Sequence, residues 1–157
     1  MQNMIKHLLG NSAGLPVKLE DAFVFFLKEG LINIGEAGEI TVSNASKVAR
    51  CSRNTAKIDL VSGVQIKTAQ TYPDKGQLEA YIAPGNTKAP ILVNVVERST
   101  LKEYYFYLQH KDYCSKKGSS IRFPFKSDGT PKRDNHWWEY EITFNEYVRL
   151  AKNVNKS

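Results

Sequence analysis

A chain of 157 residues, 41% hydrophobic, 24% charged and 11% aromatic, is long enough for one domain with a proper core and too apolar for a disordered or low-complexity protein. Its 22 Lys and Arg over 16 Asp and Glu leave a net charge of +6, which suits a polyanionic partner. Cys51 and Cys114 lack metal-ligand spacing and are too few for a disulfide framework, so reduced thiols in a cytoplasmic protein are expected. No stretch reaches membrane-spanning length, and Met1 to Leu9 is too short and polar for a signal peptide.

Residues 1–14 read as a short helix or arm, closed by Gly10-Asn11-Ser12 and Gly14. Pro16 then sits where a first helical turn tolerates it, and Gly30 where a helix should stop. Between them Val17, Leu19, Ala22, Phe23, Val24, Phe25, Phe26 and Leu27 make the helix apolar almost all round, so it is expected to be buried. Glu20 lies three, four and seven residues before Phe23, Val24 and Leu27 and shares their face. A carboxylate there is costly unless paired, protonated or bound to a cation. Asp21 is its substitute if the register shifts by one; the plainer alternative is an acid at the edge of the stripe paired to a lysine.

Leu31 to Ile34 predicts the start of a strand, Gly35 to Gly38 a loop, and Glu39 to Val42 another short strand. Residues 44–55 are small and basic, and Lys47, Arg50 and Arg53 could set cations beside a phosphate. The same stretch has the cadence of a helix-turn-helix with a recognition helix opening at Ser52, although the turn is short by about two residues. That alternative, a DNA-binding protein without catalysis, requires helical backbone through Ile58.

The richest stretch is Lys57 to Gln70. Asp59 interrupts an apolar run, Ser62-Gly63 signals a turn, and Val64-Gln65-Ile66-Lys67 alternates as a half-buried strand does. Gln65 and Lys67 then share one face. A tight two-residue turn would send Asp59 to the other face, whereas a three-residue connection or a bulge at Gly63 brings it to theirs. An acid, a neutral oxygen donor and an ammonium would then meet across a hairpin, a combination suited to half of a metal-dependent phosphodiesterase site, with Glu20 supplying another part.

Residues 69–90 read as a polar excursion with a short paired segment around Leu78 to Ile82. Ile91 to Val96 is a near-continuous β-branched run typical of a central strand, Glu97 to Thr100 turns, and Tyr104 to Leu108 forms its partner. From His110 to Arg133 the balance shifts to basic. Ile121 to Lys126 alternates into the turn Ser127-Asp128-Gly129, predicting a protruding basic ribbon or a solvated loop with Lys111, Lys116, Lys117, Arg122, Lys126, Lys132 and Arg133 available to phosphates. His136 to Ile142 reads as a last strand, and Thr143 with Glu146 forms a capping box for a closing helix through Lys152.

A helix glutamate, then Ile58-Asp59-Leu60-Val61, a short turn and Val64-Gln65-Ile66-Lys67-Thr68-Ala69 resembles the PD-(D/E)xK nuclease superfamily, which includes many restriction enzymes and Holliday-junction resolvases. The Gln65-x-Lys67-Thr68-Ala69 form is most similar to small group I intron homing endonucleases. The resemblance covers roughly Leu15 to Gln70, with a looser echo at 91–96 and 104–108. It implies an α/β (α+β) fold, a central mixed β-sheet flanked by helices as in restriction endonucleases, with a catalytic core over about 15–108 of a single domain. Position by position, Asp59 matches the metal-binding aspartate, Lys67 the lysine and Glu20 the helix glutamate. Gln65 stands where most members carry Glu or Asp, and Ile58 where proline is common. The implied activity is a DNA endonuclease using Mg2+ (or Mn2+), held by Asp59, Glu20, the Gln65 amide oxygen and the Ile66 carbonyl. The implied partners are double-stranded DNA and a second copy of the chain, as a homodimer or higher assembly, for cutting both strands.

Overall fold

The computed structural model describes residues 2–8, 17–52, 58–74, 76–116 and 119–153; the side chains of residues 2, 17–20, 73, 74 and 116 lie outside that description. Helices α1 (Gln2–Leu8), α2 (Val17–Lys28) and α3 (Ile34–Ser46) precede strands β1 (Gln65–Gln70), β2 (Tyr72–Asp74), β3 (Gln77–Ile82), β4 (Ile91–Val96) and β5 (Glu103–Leu108). A short helix α4 (His110–Tyr113), β6 (Ile121–Phe125), a 3-10 helix (His136–Tyr140), β7 (Glu141–Ile142) and α5 (Phe144–Asn153) complete the order. The fold is α+β: a central mixed sheet β1-β4-β5-β7, a smaller antiparallel sheet β2-β3-β6, and flanking helices.

β4 is the spine. All six of its residues are buried, Asn94 among them, as a nearly continuous apolar run requires when both faces are covered. It pairs parallel with β1, Gln65 beside Ile91 through Gln70 beside Val96, and antiparallel with β5. One face of the central sheet, through Ala69, Val93, Val95 and Phe106, packs on Ile82, Phe123 and Phe125 of the smaller sheet and on Trp138. The other face, through Ile66, Leu92 and Tyr105, is covered by Val42 of α3 and by Tyr147 and Ala151 of α5. Met4, Leu27 and Ala37 gather the first three helices around Val96, at the far end of β4.

Several elements differ from the sequence expectation. Residues 34–46 form one helix, not a loop and a strand: the Asn33 side chain accepts the Glu36 N–H at 3.2 Å and caps it, and Lys47 ends it with φ 61°. Gly38 lets this helix press onto β1, since a Cβ there would lie 1.8 Å from the Thr68 hydroxyl. Helix α2 is not buried all round, for Phe25 and Phe26 are 56% and 45% exposed while Leu27 is buried. Residues 136–140 coil into a 3-10 helix instead of a strand because Asn135 accepts the Trp137 N–H and both tryptophans turn into the core. The basic ribbon does not protrude: β6 is hydrogen-bonded to β3, and Ile121, Phe123 and Phe125 belong to the main core. At α5 the Thr143 half of the capping box is present (Glu146 N–H to Thr143 Oγ1, 3.2 Å), whereas the Glu146 carboxylate engages Arg149. Cys51 and Cys114 are free thiols. Among the described residues no helix is long and apolar enough to cross a membrane.

Candidate active site

The turn before β1 has the form that brings Asp59 to the strand. Gly63 donates to the Leu60 carbonyl at 2.9 Å and has φ 92°, so residues 61–63 make a three-residue connection with a glycine bulge. Leu60 then donates to Val64 (3.2 Å), as does Asp59 (3.0 Å). On the other side the chain folds back as a narrow ribbon, with Cys51 N–H on the Asp59 carbonyl at 2.8 Å and Val61 N–H on the Ala49 carbonyl at 3.0 Å. Arg50 therefore sits across from Leu60 in extended backbone. Neither Ser52 nor Ile58 is helical, so the backbone there differs from the one a recognition helix needs; residues 53–57 lie outside the described ones.

β1 is an edge strand. Gln65 donates to the Pro90 carbonyl at 2.9 Å, and alternation turns the Ile66 N–H and C=O to the unpaired edge. There the Asp59 carboxylate accepts the Ile66 N–H at 2.6 Å, satisfying a donor that the sheet leaves open. Gln65 and Lys67 flank Ile66 and are both half-buried. The Gln65 Oε1 atom is buried and has no hydrogen-bond partner among the described residues. Lys67 forms no ion pair with another described residue.

Asp59 also borders a cleft of about 380 Å³, with Asn33, Glu36, Glu39, Arg50 and Ser52 among its other walls. Capping by Asn33 and the close approach at Gly38 set α3 so that Glu36 and Glu39 open toward Asp59. Burial, and next the Asp59 charge, push the Glu39 carboxyl above the ordinary glutamate range, against the opposing pull of Arg50. Arg50 reaches Glu39 at 3.1 Å and Glu36 at 3.5 Å through the same nitrogen. Gln65 and Lys67 are not among the described walls of this cleft; they share the Ala69 face of β1, opposite the Ile66 face that α3 covers.

The structure thus brings Asp59 to the β1 edge at Ile66, between Gln65 and Lys67, and does not place those two side chains in the cleft that Asp59 shares with Glu39. It does not bring the described part of α2 there: Phe23 and Leu27 pack near Val96 and Leu101, at the opposite end of the sheet. The Glu20 side chain lies outside the described residues. The carboxylate that meets Asp59 is Glu39, which sequence reasoning misses; the available signal was Asn33 as an N-cap, with Glu36 three residues on. Among the described residues no three His, Cys, Asp or Glu side chains gather as a metal site, so any ion here would rely on two carboxylates plus neutral oxygens.

The basic residues expected at DNA divide. Lys47, Lys111 and Lys126 are exposed and Lys132 half-exposed. Arg122 pairs with Glu79 and lies over Tyr81, and Arg133 pairs with Glu141 and lies over Trp138. Arg53, Lys117 and the Lys116 side chain lie outside the described residues. Compared with family models, with curated proteins and with solved structures, the chain matches none.

Proposed function

We propose that the chain is a metal-dependent DNA endonuclease of the PD-(D/E)xK type, with the site built on the β1 edge. The observation that carries this reading is the junction at Ile66. There a carboxylate caps the edge N–H and a second carboxylate stands close enough to Asp59 for their charges to oppose each other, while the preceding residue, Gln65, carries a buried amide oxygen without a partner. Such a set needs positive charge, and its donors are the hard oxygens that magnesium prefers. Asp59, Glu39, the edge-facing Ile66 carbonyl and, reaching round the edge from the other face, Gln65 Oε1 would hold the ion, with Glu39 in the role expected of Glu20. Magnesium bound there supplies polarisation of the scissile phosphate and a lower pKa for a bound water.

The residues of the chain do the rest. Asp59, fixed by the Ile66 N–H, keeps its carboxylate at the edge where a phosphate can approach. Lys67, on the same face of β1 as Gln65, orients the attacking water and offsets the charge that builds on the transferring phosphorus. The exposed lysines and the net charge of +6 support binding of double-stranded DNA through its phosphates. Cutting both strands requires two copies of the site, hence a homodimer or higher assembly. Homing, restriction and junction-resolving enzymes would share this chemistry and differ in what they recognise.

Incubation with supercoiled plasmid, with and without magnesium, tests the proposal. Asp59→Ala and Lys67→Ala are expected to lower cleavage by on the order of 10³-fold while DNA binding in a gel shift stays within a few-fold. Full cleavage by either variant would remove the assignment.

A further inference from the structure

Arg50 is the one described basic residue in the walls of the Asp59 cleft. It stands in the ribbon next to the backbone bond between Cys51 and Asp59, yet its guanidinium turns to α3, where one nitrogen serves Glu39 and Glu36 together. Its side chain remains about one-third exposed, at 31%, so it is neither locked in the core nor free in solvent. A guanidinium in that position neutralises the carboxylate that faces Asp59 and occupies part of the coordination space that a divalent ion would need.

We infer that Arg50 is a resident counter-cation of this cleft, competing with the divalent ion for Glu39 and serving the DNA phosphate once the ion has taken its place. The inference rests on the nuclease reading and adds a form of regulation to it. Ion-free protein holds its acids in an Arg50 pair, and ion binding and phosphate binding become linked because both act on one side chain. Linkage gives this a sign that ordinary phosphate contacts lack. Deleting a competing cation strengthens metal binding in the absence of DNA, whereas deleting a residue that merely shapes the cleft weakens it. Lysine would keep the charge but lose the fork that spans two carboxylates.

The test is calorimetric titration of Mg2+ alone into the full chain, without DNA. Arg50→Gln is expected to bind Mg2+ at least about fivefold more tightly than the unaltered protein, with Arg50→Lys between them. In a gel shift with Mg2+ and an uncleavable duplex, the same Arg50→Gln protein is expected to bind about tenfold more weakly, since one charged phosphate contact is gone. Unchanged or weaker Mg2+ binding by both folded variants, checked by circular dichroism, would overturn the inference and leave Arg50 as a support for Glu39. If the unaltered protein itself takes up no Mg2+, the nuclease reading fails along with it, so the two failures are distinct. Should Arg50→Gln fail to fold, Arg50→Lys alone decides, because any gain in Mg2+ affinity supports competition and its absence refutes it.

Discussion

Glu97, just beyond the end of β4, and Glu39, on α3, show two fates of a carboxylate. Glu97 is fully buried and takes five donors: the Thr71 hydroxyl at 3.2 Å, the Ser99 N–H and hydroxyl at 3.1 and 2.7 Å, and the Thr100 N–H and hydroxyl at 2.7 and 2.8 Å. Gly129 closes over it so tightly that a Cβ would lie 2.8 Å from Glu97 Oε2. Burial alone would raise the Glu97 carboxyl, but the Ser99 and Thr100 bonds outweigh it and hold the group below the ordinary range. Glu39 is half-buried, faces the Asp59 charge, and is raised. A saturated acid is structure. An acid set against another acid is where the proposed cation would act, and this contrast separates the candidate site from the Glu97 turn.

Exchanging the two roles should be impossible, and variants can show it. Glu97→Ala strands five donors, four in the turn between β4 and β5 and one on Thr71, and is expected to cost on the order of 4 kcal/mol in urea denaturation, with Mg2+ affinity unchanged in protein that folds. Glu39→Gln should leave stability within about 1 kcal/mol, since it removes a repulsion along with the Arg50 pair. Its cleavage rate should fall by about 100-fold, or roughly 2.7 kcal/mol of transition-state stabilisation. Glu20→Gln is expected to stay within a few-fold of the parent. A larger loss at Glu20 than at Glu39 would return the helix-acid role to α2.

Local chemistry explains which parts were readable beforehand. β4 announces itself through a nearly continuous apolar run, and Gly63 and Gly129 through turns that demand positive φ (92° and 85°). The position of Asp59 at the β1 edge follows from the same turn logic. Helix α3 was hidden because Gly35, Gly38, Thr41 and Val42 favour loop and strand locally, while the reason for the helix is tertiary. Gly38 must clear Thr68 of β1, and the Thr41 hydroxyl bonds back to the Ala37 carbonyl at 2.7 Å. With α3 hidden, Glu39 could not be placed, and α2 became the only helix available to supply an acid. The pairing of β6 with β3 is likewise non-local and leaves no trace in the alternation of either strand. Gly38→Ala isolates that tertiary constraint: a loss of about 2 kcal/mol is expected by urea denaturation, against the small gain that Gly→Ala brings in an unobstructed helix.

The smallest effect sharpens the contrast through pH. Because Glu39 is raised when folded, its proton favours the native state below the ordinary glutamate pKa, and that contribution is lost as pH rises through the Glu39 value. A divalent ion needs the deprotonated group, so ion and proton compete. At about ten times its Kd, Mg2+ should stabilise the protein by about 1.4 kcal/mol, a rise in Tm of roughly 3–6 °C for a chain of this size. That rise is expected at about pH 7.5 and should shrink toward about pH 5, fading at higher pH than an unperturbed glutamate would allow. Glu39→Gln should flatten this dependence, because the competing proton is gone together with one ligand. Glu97→Gln should leave it intact, for its site has no vacancy to fill. A pH-independent Mg2+ shift in the parent protein would mean that the ion binds elsewhere and that Glu39 is as inert as Glu97.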